Sequence, residues 1–560
     1  MSESLIQPII QRAHTQPDHL TLVFIEENGD REDINAAQFH AKAVAFARAL
    51  QAIDIGADDL VVLVLRHSQV LLSAFWGAMY LGAIPSIFPF LTEKLDPDLY
   101  MERVRLLVAH SDMRAVITFP EFKPKLEKLL AGLDCRVLST DEVPMGEVTG
   151  DVDPAWSAAE ISGEKIAFLQ HSSGTTGLQK GVALSHRAVL NQVESYGDAI
   201  QLDGDDVVVS WLPLYHDMGL IAGFVMPIVA GVPVVMMSPF HWVRDPKILF
   251  QAIDQYRGTL CWLPNFAYNH CVRAVRLRDL EGVDLSHWRA AINCSEPVRL
   301  DSHQRFLERF APYGFRETAL TTCYAMAENT LAVTQSTIGE QAPVDWVDRT
   351  ALQEERRAIP AQGDAPGALP VVSCGYPVSG CEVAIVDEEG HRLADRQVGE
   401  IILRSNCMLT EYYARPTITA EAIRDGWYYS GDMGYIADGQ VYVSGRKNDL
   451  IIVSGKNIYP QDLEAIANTQ PGVHPGRAVA FGVSDERLGT EGTVMVCEME
   501  NAYQPEEKLA IERELRRRVV QQMDVALADV RLVERKWLIK TSSGKIGRPD
   551  NRRKYLQEFR

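Results

Sequence analysis

Short, nearly unbroken apolar runs recur through the first half of the chain, at residues 60–65, 115–118, 166–169, 207–209, 232–236, 260–263 and 290–292. A strand covered on one face alternates apolar with polar residues. An unbroken run marks a strand covered on both faces, as in the largely parallel sheets of α/β folds. The stretches between them, such as 35–52 and 245–256, carry apolar residues at helical spacing. The pattern predicts a large layered α/β region up to about residue 330. Residues 68–92 carry no charge over the length of a membrane-spanning helix, but Gly77, Gly82, Pro85 and Pro89 interrupt them. A buried helix turning into a buried strand is expected there, and again at 219–240, so no transmembrane segment is predicted. From about 374 to 445 the texture becomes short strands at 383–386, 399–403 and 440–443 between glycine-rich turns, which predicts a small β subdomain. The preceding stretch 335–370 is polar, holds Pro343, Pro360, Pro366 and Pro370, and reads as a surface insertion in an α/β region that ends near 373. Residues 446–560 read as a small, mobile α+β domain following the large 1–445 domain.

A chain of 560 residues exceeds what one core serves, in keeping with that division. The formal charge of −20 argues against nucleic acid or an anionic membrane as the main partner. Nine cysteines occur with no C-x-x-C pair, and no H-E-x-x-H is present, which argues against structural zinc and fits a reducing compartment. The start, Met1-Ser-Glu-Ser-Leu, lacks the features of a signal peptide, so a cytoplasmic location is expected.

The densest local chemistry is Gln170-His171-Ser172-Ser173-Gly174-Thr175-Thr176-Gly177-Leu178-Gln179-Lys180-Gly181, directly after a predicted buried strand. Glycines let the backbone curl its N–H groups toward an anion, four hydroxyls add donors, and Lys180 adds charge. The spacing is not that of the P-loop. Asn293-Cys294-Ser295-Glu296-Pro297 and Thr322-Cys323-Tyr324-Ala325-Met326-Ala327-Glu328 each follow a predicted strand, where open α/β sheets bind ligands. Tyr428-Tyr429-Ser430-Gly431-Asp432, Gly445-Arg446-Lys447-Asn448-Asp449 and Lys540-Thr541-Ser542-Ser543-Gly544-Lys545 complete the set. Each also has a plain structural reading: Asp432 as a turn residue, Glu328 as a helix cap, Lys545 as one cation of a basic tail, His216-Asp217 as a packed pair.

In order and in kind, these motifs resemble the superfamily of acyl- and aryl-CoA synthetases, peptide-synthetase adenylation domains and firefly-type luciferases. Pro213-Leu214-Tyr215-His216-Asp217-Met218-Gly219, Pro264-Asn265-Phe266-Ala267-Tyr268, Ala327-Glu328 and Asn457-Ile458-Tyr459-Pro460-Gln461-Asp462 are most similar to the fatty acyl-AMP ligases, which also carry an insertion about where 335–370 falls. The resemblance implies an ATP- and Mg²⁺-dependent enzyme that converts a fatty, apolar acid to acyl-AMP and pyrophosphate. It implies that Ser172, Ser173, Gly174, Thr175, Thr176, Gly177 and Lys180 hold the phosphates, that Ser295, Glu296, Pro297 and Tyr324 cradle the adenine, and that Ala325 and Met326 also belong to the ATP site. Glu328 with Thr176 would hold the metal, Asp432 the ribose hydroxyls, and Arg446 the ribose or phosphate. Lys545 would bridge carboxylate and α-phosphate, with His216 at the acyl site.

That chemistry needs such residues, because an anionic carboxylate must approach an anionic triphosphate, and no covalent protein nucleophile is required. Gln179, His171, Cys294, Ser295, Ala325 and Asn448 depart from the residues usual in the family, yet none removes an essential charge. The acceptor for the acyl group implied by the resemblance is an acyl carrier protein thiol, with coenzyme A the alternative; the basic tail (Arg535, Lys536, Lys540, Arg548, Arg552, Arg553, Lys554) would greet an acidic carrier, and a solvated tail or one folded over ATP accounts for it equally well. A non-catalytic adenylate-binding protein on the same fold is the reading from another class.

Overall fold

The computed structural model describes residues 3–90, 104–105, 112–144, 161–171, 180–453, 456–485, 490–523, 525–541 and 544–559. Two large sheets carry the first part of the chain. The nine-stranded sheet has six parallel strands, Leu20–Ile25, Val234–Met237, Val208–Ser210, Leu260–Leu263, Ala290–Cys294 and Leu320–Ala325, in that spatial order. Antiparallel strands close its margins: Arg31–Asn35 on one side, Ala332–Gln335 and Tyr376–Pro377 on the other. The seven-stranded sheet sets Ile166–His171, Ile84–Ile87, Leu60–Leu63, Met113–Thr118 and Arg136–Ser139 parallel, with Gly181–Ser185 and then Glu411–Tyr412 antiparallel at one edge. Leu60–Leu63, Val234–Met237 and Leu260–Leu263 are buried at every position, as unbroken apolar runs require.

The helices between the strands begin where their caps stand. Asn35 accepts from Gln38 N–H and Gln38 returns the bond to Asn35 N–H, opening helix Ala36–Gln51. Ser68 caps Gln69–Tyr80, which is buried from Leu71 to its end and leads into strand Ile84–Ile87. This is the helix-then-strand expected for the uncharged stretch. No helix among the described residues is long and apolar enough to cross a membrane. These two helices cross closely because Gly77 has no Cβ; one placed there would lie 2.4 Å from Phe46 Cβ.

A five-stranded antiparallel sheet follows, made of Cys381–Val386, Gly399–Ser405, Ile423–Arg424, Trp427–Ala437 and Gln440–Arg446. The stretch 335–370 differs from the expected bare surface insertion. Val344–Asp348 pairs with Ala368–Val372 and leads into helix Arg349–Glu354. Val347, Leu352 and Ala358 are buried against Val398, Met433, Tyr435 and Tyr442 of the β subdomain. A handful of well-placed apolar residues suffices to seat a short hairpin, and too few of them recur to produce a period in the sequence.

The C-terminal part has its own apolar clusters, on either side of the sheet Val473–Asp485, Thr490–Met499 and Leu527–Val533. Its helices are Pro460–Asn468, Pro505–Met523 and Arg548–Phe559. The fold is thus α/β, with a large N-terminal domain and a smaller C-terminal one. All nine cysteines are free and eight are buried.

Candidate active site

Three loops leave the carboxyl ends of parallel strands in the nine-stranded sheet. Ala290–Cys294 runs into Ser295, Glu296 and Pro297, and Leu320–Ala325, which pairs with it in parallel at Cys294 and Cys323, runs into Met326 and Glu328. Val208–Ser210 leads toward His216 and Asp217. Ser295 takes φ 68°, the left-handed region that a residue with a Cβ rarely occupies, and this turns the chain sharply off the strand end. Its hydroxyl lies 3.8 Å from Met218 Sδ. Glu296 accepts the Phe266 N–H at 2.9 Å, so its carboxylate faces the first turn of helix Asn265–Ala274. Met326 N–H donates to Leu331 O at 2.8 Å, drawing the turn around Glu328 tight.

One corner of the site centres on Asp432, which is 9 % exposed. Tyr324 O–H donates to its Oδ2 at 2.7 Å and Arg446 Nε–H to its Oδ1 at 3.1 Å. Burial, then the neighbouring Asp432 carboxylate, push the Tyr324 hydroxyl well above its ordinary pKa, so it stays protonated and donates. Asp432 is therefore more than a turn residue. It joins the strand end at Tyr324 to the last strand of the β subdomain, where it is the register partner of Arg446. Beside it Glu400 accepts from Gly431 N–H at 3.1 Å and from Lys447 Nζ at 2.9 Å.

A second corner centres on Glu328. Tyr412 O–H donates to its Oε1 at 2.7 Å, and Tyr428 O–H stands 3.1 Å from that phenol. The Lys180 ammonium lies 4.8 Å from the centroid of the Tyr412 ring. Residues Ser172, Ser173, Gly174, Thr175, Thr176 and Gly177 lie outside the described residues. Lys180, which follows them, borders this corner.

The third group is His216 with Asp217, in contact through Nδ1 and Oδ1. Asp217 also accepts from Met218 N–H at 2.7 Å. Burial opposes the Asp217 charge, but His216 and the Lys545 ammonium outweigh it and hold the carboxyl below its ordinary range. Lys545, more than 300 residues away in sequence, thus has its field at this pair. Its loop turns at Gly544, φ 84°, and closes by Thr541 N–H to Lys545 O at 2.7 Å.

Polar contacts seat the C-terminal part here. Arg299, two residues past Pro297, donates to Asp462 Oδ1 at 3.1 Å and to Gln461 O at 2.8 Å. Gln461 Nε2 donates to Ser444 O at 2.6 Å. A Cβ on Gly445 would lie 2.5 Å from the Tyr459 ring, so glycine is needed at this junction. On the other side Arg349, on the 335–370 stretch, donates to Gln522 O. Several tail cations expected to face a partner are used internally: Arg548 binds Glu464 at 2.7 Å and also Asp449, Arg552 donates to Gly482 O, and Lys554 lies over Trp537. The apolar residues Phe224, Met226 and Trp262 are fully buried, Phe224 against Phe75 and Trp76. Phe266, by contrast, is 37 % exposed.

Tyr324, Asp432 and Arg446 therefore meet directly, and Glu328 meets Lys180 through Tyr412. Sequence reasoning missed Tyr412, Glu400 and Arg299; a tyrosine in a two-residue strand, Glu411–Tyr412, gives no chemical signal of its own. The donor sets suit an adenosine triphosphate: a buried carboxylate for a diol, and at Glu328 an oxygen ligand, with Oε2 free of hydrogen bonds from described residues, that suits a hard divalent cation such as Mg²⁺.

The sequence pattern of the AMP-binding enzyme family matches residues 9–413. The medium-chain-fatty-acid–[acyl-carrier-protein] ligase JamA of Moorena producens is 30% identical over 574 residues, covering 99% of this chain and 95% of that protein. The long-chain-fatty-acid–AMP ligase FadD32 of Mycobacterium marinum is 30% identical, covering 99% and 94%. Among solved structures, one from a study of the fatty acyl-adenylate ligases of E. coli and L. pneumophila superposes with a TM-score of 0.89 at 28% identity, covering 100% of this chain and 98% of that one. A fatty acid AMP ligase from Legionella pneumophila superposes with a TM-score of 0.75 at 30% identity, covering 100% and 96%.

Proposed function

The chain belongs to the AMP-binding enzyme family, and on that premise we propose that it activates a fatty acid with ATP and then passes the acyl group to a carrier-protein thiol. The observation that carries the first half is Asp432 held between Tyr324 and Arg446 at the seam where Lys545 approaches His216 and Asp217. In the first step a carboxylate oxygen of the acid attacks the α-phosphorus; the bond from that phosphorus to the bridging oxygen breaks, and pyrophosphate leaves. Lys545 lies between the two anions and offsets the charge that grows on the five-coordinate phosphorus. Asp432 orients the ribose by accepting from its hydroxyls, and Ser295, Glu296, Pro297, Ala325 and Met326 flank the adenine with Tyr324. Lys180, with Ser172, Ser173, Gly174, Thr175, Thr176 and Gly177, holds the departing phosphates. A Mg²⁺ ion held by Glu328 and Thr176 would neutralise charge on those phosphates. In the second step a thiol attacks the acyl carbon and AMP leaves, after the smaller domain turns about residues 445–449.

Carrier protein as acceptor draws support from the names of JamA and, for the acyl-AMP product, FadD32. Coenzyme A is the competing acceptor; a putative acyl-CoA synthetase of Caulobacter vibrioides is also 30% identical to this chain. Radiolabelled fatty acid incubated with ATP and Mg²⁺, with and without coenzyme A and resolved by thin-layer chromatography, separates the two. Acyl-AMP is expected to accumulate and to persist when coenzyme A is added. Its conversion to acyl-CoA would overturn the carrier reading, and no acyl-AMP at all would overturn the enzyme reading.

A further inference from the structure

Between the two charged groups that face the phosphates stands an aromatic side chain with no role assigned above. Strand Glu411–Tyr412 adds to the edge of the seven-stranded sheet by pairing with Gly181–Ser185, so that Tyr412 lies opposite Val182, two residues beyond Lys180. The surrounding segment is bound on both sides. Leu409 N–H donates to Glu328 O at 2.8 Å, Thr410 N–H to Ala183 O at 2.9 Å, and Tyr413 N–H to Gly181 O at 2.8 Å. Thr419 Oγ1 accepts from Tyr412 N–H at 3.0 Å and so fixes the tyrosine's own backbone. Tyr412 is 2 % exposed, and its hydroxyl reaches Glu328 Oε1 while its ring face lies under Lys180. A single rigid side chain thus meets a carboxylate with its hydroxyl and an ammonium with its π face.

We infer that Tyr412 is the positioning residue that holds Glu328 and Lys180 in register for the metal-bound triphosphate. The inference rests on the reading of Glu328 and Lys180 given under the proposed function. The phenol occupies Oε1 and so presents Oε2 of the same carboxylate outward, which selects one rotamer of a half-buried glutamate. The ring holds the lysine by its face, an attraction that leaves the three ammonium protons available for phosphate oxygens. Tyr428 O–H, 3.1 Å from the Tyr412 oxygen, limits the rotation of the phenol in turn. Neither half of this arrangement requires Tyr412 to touch substrate.

The two functions separate by substitution. Tyr412→Phe keeps the ring under Lys180 and removes the hydroxyl; Tyr412→Leu removes both. In the full-length enzyme, Tyr412→Phe is expected to raise the Mg²⁺ concentration for half-maximal ATP–pyrophosphate exchange by about tenfold, the scale of a hydrogen bond to a charged group. The KM for the fatty acid stays as in the wild type. Tyr412→Leu is expected to raise the KM for pyrophosphate as well. A readout independent of turnover is calorimetric titration of ATP without fatty acid at low and high Mg²⁺: Tyr412→Phe weakens binding at low Mg²⁺ and recovers at high Mg²⁺, which a merely loosened fold does not do. Glu328→Gln is run alongside. If it shifts the Mg²⁺ dependence and Tyr412→Phe does not, the positioning role is refuted while the metal reading stands. If Glu328→Gln leaves the dependence unchanged, the metal reading fails and this inference falls with it.

Discussion

Just before strand Ala290–Cys294 of the nine-stranded sheet, Trp288 is fully buried and packs edge-on against Phe250, Phe306 and Phe315, with ring centroids 5.1 to 6.1 Å apart. Where the C-terminal domain meets that sheet, Arg299 reaches Asp462, and the two side chains keep 29% and 13% of their exposure. The first region is held by apolar contact that only a cavity can replace. The second is held by partly hydrated ion pairs, worth little net because water competes for both partners. The proposed mechanism, in which Lys545 comes to His216 and Asp217 for one step and withdraws for the next, needs this division. A greasy seam would hold the domains fixed, and a polar core would not hold the sheets together.

The contrast is sharpest at Trp288→Ala. This change is expected to destabilise the protein by about 3–5 kcal/mol in denaturant unfolding while the remaining folded fraction still forms acyl-AMP. Lys545→Ala is expected to do the reverse: carboxylate-dependent ATP–pyrophosphate exchange falls by about 10²- to 10³-fold with the unfolding midpoint unchanged. If unfolding moves with it, the lysine is a packing residue. Asp432→Ala leaves Tyr324 O–H and Arg446 without their acceptor and is expected to raise the KM for ATP by about tenfold or more.

Smaller effects come from protonation and from the seam. His40, His186 and His303 are buried, and burial lowers each to a pKa of about 4 from the ordinary 6.5. Their surroundings favour the neutral ring, since Leu5 N–H donates to His186 Nδ1. The unfolded chain binds these protons first, so stability falls as pH drops from about 6.5 to about 4, by at most about 1.4 kcal/mol per pH unit for each histidine. Urea unfolding at pH 7 and pH 5 checks this; equal stabilities would show that the rings are hydrated. Arg299→Ala is expected to change unfolding by under about 1 kcal/mol, yet to speed protease cleavage within residues 445–449. Unchanged cleavage would mean that Arg299 does not hold the seam.

The unbroken apolar runs at 60–63, 234–237 and 260–263 became buried strands because their information is local: no polar side chain interrupts them, so only a position covered on both faces suits them. Lys180, Glu328, Asp432 and Lys545 stood out by a comparable local rule, charge set beside glycine or at a strand end. The eight residues 172–179, the densest motif of all, lie outside the described residues. The hairpin within 335–370 escaped because its few buried residues, Val347, Leu352 and Ala358, are too widely spaced to make a period.

Tyr412, Glu400 and Arg299 are of another kind. Tyr412 reaches Glu328 across 84 positions of chain, and Arg299 reaches Asp462 across 163. Nothing near a tyrosine in sequence tells whether its hydroxyl faces a carboxylate or water. Strand edges and domain seams decide that, through pairings whose partners are set by the packing of whole sheets. The sequence alone therefore determined which residues are apolar enough to be inside and which carry the charge for chemistry on phosphates. The tertiary structure decided which neighbours orient those charges, because orientation depends on contacts between segments that no local pattern links.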